Sequence, residues 1–75
     1  MEYKKGNIIT QHYHFQEMDV EIVEIDLVNQ KYITKCIQMR NDKGEEIYKD
    51  KIREENGYLN FCDAHTDMWT LKSST

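Results

Sequence analysis

The sequence predicts an all-β fold: one small domain, a meander of five or six short strands around a long bent central hairpin. Three observations carry that expectation. Apolar and polar residues alternate with period two through residues 19–40, the pattern of half-buried strands. β-branched residues dominate the apolar set, with eight Ile and three Val against three Leu and one Ala. Turn signals recur at short intervals, at Lys5-Gly6-Asn7, Asn29-Gln30, Asn41-Asp42-Lys43-Gly44 and Asn56-Gly57.

The first strand is expected over 8–15, with Ile9, Tyr13 and Phe15 on one face and Ile8, Thr10, His12 and His14 on the other. A polar connection at 16–18 then leads into the central hairpin. If Val28 faces Lys31 across Asn29-Gln30, one face pairs Leu27 with Tyr32, Ile25 with Thr34 and Val23 with Cys36. The other face pairs Glu24 with Lys35, Ile22 with Ile37 and Val20 with Met39. The apolar side changes midway, so this ribbon must twist and bend, as strands do when a small sheet curls into a barrel. Residues 41–44 read as a type I turn with Gly44 in the left-handed position, opposing Arg40 to Glu46 and Met39 to Ile47. Asn56-Gly57 predicts a two-residue hairpin loop opposing Ile52 to Phe61, with a helical turn over 50–55 as the competitor. Residues 63–67 read as a polar loop and 68–72 as a last strand with Trp69 and Leu71 on one face, before a frayed end at 73–75. The expected core is Ile9, Phe15, Val23, Ile25, Leu27, Ile37, Met39, Ile47, Ile52, Phe61, Trp69 and Leu71. Tyr3, Tyr13 and Tyr58 are left over as exposed anchors for a partner.

A chain of 75 residues buries only about 60% of its unfolded surface, so its core is thin. Ligand pockets take roughly 300–1,000 Å³, which so small a β domain hardly has to spare. A working outer surface is expected instead, with no enzyme activity and no cofactor. The net charge of −4 argues against a general polyanion binder. That charge is uneven: residues 7–29 hold no Lys or Arg but carry Glu17, Asp19, Glu21, Glu24 and Asp26. These five form the candidate protein-binding face; the plainer alternative is the solvated side of two strands. The rival class is nucleic acid, held by Lys49, Lys51 and Arg53, which share one face of an extended strand. Glu45, Glu46, Asp50, Glu54 and Glu55 dilute that field. With no proline to block an edge strand, edge-to-edge homodimerisation is a further expectation.

No stretch approaches the roughly 20 apolar residues of a membrane span, and the N-terminus has no apolar leader. Cys36 and Cys62 read as free thiols of a cytoplasmic protein. Eight Lys against two Arg, with abundant Ile, Asn and Tyr, suits an AT-rich genome such as that of a low-GC bacterium or its phage.

Two constellations raise chemistry. His12-x-His14 and Cys62-x-x-His65 supply four ligand types, which bind zinc only if they converge tetrahedrally at about 2.0–2.3 Å. Spacing alone leaves that convergence open, and the second Cys of a zinc knuckle is missing. Cys62, His65 and Asp67 contain the residue types of a nucleophile, base and orienting acid, but side chains this close in one short loop seldom meet in that geometry.

Lys4-Lys5-Gly6-Asn7-Ile8-Ile9 resembles the opening strand of the small SH3-like barrels of bacterial and phage proteins, which reads Lys-x-Gly-Asp before apolar residues. The long hairpin over 20–39 and the late aromatic Trp69 are similar too, so the likeness spans most of the chain. It departs at Asn7, where those proteins carry an acid, and in a first loop without Gly and Pro. The resemblance implies a barrel-shaped binding module whose ligands range from peptide to nucleic acid. An inhibitor of a host or defence protein, occupying a basic surface, fits the acidic charge.

Overall fold

The computed structural model describes residues 3–48 and 56–74. The chain forms β1 (Asn7–His12), β2 (Gln16–Asp26), β3 (Lys31–Asn41), β4 (Glu46–Ile47), β5 (Asn56–Asn60), α1 (Phe61–Ala64) and β6 (Trp69–Ser74). All pairings are antiparallel, in the order β4-β3-β2-β1-β6, and β5 pairs with the other end of β3. The fold is all-β, as the alternation predicts. Among the described residues β6 pairs with β1 alone, so the sheet stays open where a closed barrel was expected.

The hairpin of β2 and β3 is long and bent, but its register differs from the expected one. The turn takes four residues, 27–30, and the ladder opposes Ile25 to Tyr32, Ile22 to Thr34, Val20 to Cys36 and Met18 to Met39. The cause is local hydrogen bonding. The Asp26 carboxylate accepts the Asn29 backbone N–H at 3.1 Å and the Asn29 Nδ2 at 2.8 Å, while Gln30 turns the chain at φ 55°. Leu27 and Val28 are thereby pushed out, 76% and 91% exposed, and Leu27 leaves the predicted core. Irregularities at Asp19/Val20 and Ile22/Glu24 shift the register twice more. Such bulges bend a strand and change which side chains face inward, and they supply the mid-hairpin switch that the apolar pattern demanded.

One face of the sheet is apolar: Ile9, Val20, Ile22, Tyr32 and Trp69 are buried, with Tyr3 and Ala64 added from outside the main strands. Met18, Ile25, Cys36, Leu59 and Phe61 pack against them. Fully burying a side chain of Ile size contributes about 1.5–3 kcal/mol, so this short row is the main support of the fold. Phe15 and Leu71, expected inside, are exposed. Phe15 is lost because β1 ends at His12: the Tyr13 N–H donates to the Gln16 carbonyl at 3.0 Å, closing a turn. Leu71 lies on the outermost strand. Val23, Ile37, Met39 and Ile47 are half-buried, and Ile52 lies outside the described residues.

The β3–β4 turn matches expectation. Met39 opposes Ile47, Arg40 opposes Glu46, and Gly44 sits at φ +82°. Asn41 Oδ1 accepts the N–H groups of Lys43 and Glu45 at 3.0 and 2.9 Å. Asn56-Gly57 is not a loop: both residues sit in β5, opposite Lys35 and Thr34. A Cβ on Gly57 would meet Thr34 Oγ1 at 3.2 Å, so this glycine serves close strand approach rather than reversal. The competing helical turn over 50–55 lies outside the described residues.

Part of the expected polar loop is α1, after the Phe61 N–H donates to the Gln30 carbonyl. Tyr3, Tyr32, Phe61 and His65 gather there and plug one end of the sheet. The Tyr32 and Phe61 rings lie 4.6 Å apart and Tyr3 stacks on His65 at 5.2 Å. The Tyr32 hydroxyl accepts the Tyr3 N–H at 3.4 Å and shares a 3.2 Å hydrogen bond with His65 Nε2. Burial, helped by the neighbouring Tyr32, raises the Tyr3 pKa. Tyr3 is thus a core residue, not a surface anchor.

Candidate functional site

The five acidic residues of β2 do not form one surface. Asp19 is 1% exposed. It accepts hydrogen bonds from Thr10 Oγ1 at 2.7 Å, Arg40 Nη1 at 2.7 Å, Arg40 Nη2 at 3.0 Å and Lys72 Nζ at 2.6 Å. Burial pushes its carboxyl up, but the bonds from Arg40, Lys72 and Thr10 outweigh that and hold it far below the usual carboxylate range. Asp19 therefore knits β1, β2, β3 and β6 together on the polar face and leaves the candidate contact set.

Glu17 extends this network. Its Oε2 lies 2.7 Å from His12 Nδ1 and its Oε1 3.4 Å from Arg40 Nη2. The His12 bond, ahead of Arg40, lowers its pKa and keeps it ionised. Glu21 is half-buried opposite Lys35. Glu24 is exposed, 3.6 Å from Lys5 Nζ, in an ion pair that adds little in water. Asp26 caps the 27–30 turn, where the Asn29 bonds lower its pKa. Lys49, Lys51 and Arg53 lie outside the described residues.

The four metal-ligand types stay apart. His12 is held between Glu17 and Thr70, each at 2.7 Å. His14 is exposed in the turn after β1, while Cys62 and His65 belong to the opposite end, beyond β5. Among the described residues no group of three or more His, Cys, Asp and Glu is placed to hold a metal ion. Cys62 approaches Asp63 at 4.0 Å and His65 bonds Tyr32, so they do not assemble a nucleophile–base pair.

Two concave features are formed by the described residues. A cleft of about 460 Å³ lies on the apolar face, floored by Met18, Val20, Cys36, Leu59 and Trp69. Burial raises the pKa of the Cys36 thiol there, so it is a poor nucleophile. The second is an open hollow of about 500 Å³ between two turns that meet at the same end of the sheet. Its walls include Tyr13, His14 and Phe15 from the β1–β2 turn and Asp42 and Lys43 from the β3–β4 turn, with Glu17 at the base. The register that opposes Gln16 to Asn41 sets these turns side by side. Tyr13 is 48% and Phe15 77% exposed, and the His14 and Phe15 rings lie 6.4 Å apart. Sequence reasoning gave Phe15 to the core; the available signal was a polar stretch directly after His12-Tyr13-His14-Phe15, consistent with aromatics in a turn.

No family model matches the chain, and no curated protein or solved structure matches it. Among the described residues no helix is long and apolar enough to cross a membrane.

Proposed function

We propose that this chain is a non-catalytic binding protein that acts through contacts with another protein, in the manner of a small cytoplasmic inhibitor of phage type occupying a basic surface on its target. The reading takes the open sheet as a relative of the small SH3-like barrels. The observation that carries it is the pair of aromatics, Tyr13 and Phe15, standing free on a turn beside carboxylates. Tyrosine and phenylalanine offer large contact area, and exposed aromatic clusters are typical anchors of protein interfaces. The net charge of −4 complements a basic target and raises its encounter rate. Glu21, Glu24 and Asp26 form the acidic margin that remains once Asp19 is committed to the sheet.

The test is capture of a partner from the source cell or its host. Replacing Tyr13 and Phe15 by Ala, or neutralising Glu21, Glu24 and Asp26 together, should reduce capture. Capture unchanged by both sets removes the reading. Binding of a nucleic acid that weakens steeply with salt would support the rival class instead.

A further inference from the structure

We propose that the hollow between the two turns is a receptor for an arginine side chain of the partner protein; this rests on the protein-binding reading and names the chemistry of its central contact. Three ring-bearing side chains, Tyr13, His14 and Phe15, line one wall, and Glu17 and Asp42 contribute carboxylates. Rings attract a cation over their faces, and carboxylates take the guanidinium N–H groups in pairs. Arginine fits this combination better than lysine because it is planar, weakly hydrated and able to stack while it hydrogen-bonds.

The balance of charge points the same way. Among the described residues Glu17, Asp42, Glu45 and Glu46 stand at this end of the sheet against Arg40 and Lys43. Arg40 is already consumed: its guanidinium bonds Asp19, Gln38 and Glu17 and its side chain is 16% exposed. Glu17 is likewise engaged, by His12 and Arg40, so among the described residues the exposed carboxylates at this end are Asp42 and Glu45, set against Lys43. A phosphate group would meet repulsion here, and a purely apolar anchor would strand the carboxylates. The hollow's volume of about 500 Å³ is ample for one guanidinium and its stem.

The probe is an acetylated hexa-arginine amide, titrated into the full chain by calorimetry and followed by amide spectra. Expected are shifts confined to residues 13–17 and 41–46, and weaker binding to hexa-lysine of the same length. The double variant Tyr13→Ala/Phe15→Ala should bind about tenfold more weakly, from two exposed ring contacts. Phe15→Leu keeps bulk without a ring face and should also bind more weakly, so a misfolded double variant leaves the test intact. Hexa-arginine binding that is absent, unchanged in Phe15→Leu, or mapped to Glu21, Glu24 and Asp26 overturns the site. If partner capture nevertheless persists and responds to the acidic variants, the protein-binding reading stands without this receptor.

Discussion

Removing the Asp19 carboxylate tests the strongest structural statement in the molecule. Asp19 is 1% exposed and accepts from Thr10, Arg40 and Lys72, so Asp19→Ala leaves two cations and a hydroxyl without their acceptor. Breaking one partner of a buried ion pair costs about 3–5 kcal/mol. Here the lower end applies, because the Lys72 side chain is 50% exposed and swings into water, while Arg40 keeps Glu17. A domain of this length has only about 4–11 kcal/mol in total, so a loss of about 3 kcal/mol is a large share. Urea unfolding followed by circular dichroism, at neutral pH and fixed salt, measures it; thermal unfolding should shift down by roughly 12–24 °C. The pH dependence follows with a definite sign. A carboxyl whose folded pKa lies below its unfolded value of about 3.9 stabilises fully above that value and loses its contribution as pH falls toward the folded pKa. The unmodified chain should therefore weaken below about pH 5, and Asp19→Asn should show a flatter acid limb. A stability change under 1 kcal/mol, with the acid limb unaltered, would refute the network as a support of the fold.

Tyr32→Phe removes the hydroxyl that bonds the Tyr3 N–H and His65 Nε2 at the plugged end. The cost should be about 1–2 kcal/mol by urea titration, with faster hydrogen exchange at the Tyr3 amide. Gly44→Ala meets no atom within 4 Å but stands at φ +82°, so its cost is backbone strain alone, about 1 kcal/mol. Asn at that position should recover part of the loss, since Asn enters the left-handed region more readily.

Much of the fold was legible in the sequence. Period-two alternation and β-branched composition locate β2 and β3, and Asn41-Asp42-Lys43-Gly44 gives the β3–β4 register residue for residue. What stayed hidden turned on short-range polar bonds. The side chains of Asp26 and Asn29 lengthen one turn by two residues, and a two-residue change of register moves every opposed pair along the hairpin. Asn56-Gly57 carried the strongest hairpin signal, yet a glycine satisfies a close strand approach as well as it does a turn. Of the candidate site, the acidic residues were visible, but not that Asp19 would be drawn inward. That depends on Arg40 and Lys72, 21 and 53 residues away along the chain, arriving on the same face.

The two faces of the sheet show how so short a chain divides its resources. It has apolar residues enough for one buried row, on the side of Ile9, Val20 and Ile22. The opposite face is held instead by charge, from Arg40 through Asp19 to Lys72 and from Glu17 through His12 to Thr70. Such a network contributes order across four strands without needing a second hydrophobic layer to cover it. The broad faces are thus largely committed to stability, and the most exposed large side chains fall on turns at the ends: Phe15 at one, Leu27 and Val28 at the other. The 27–30 end presents two bare aliphatic side chains beside an Asp–Asn turn. The 13–16 end combines aromatic rings with carboxylates and a hollow, and that combination is what gives recognition a chemical preference.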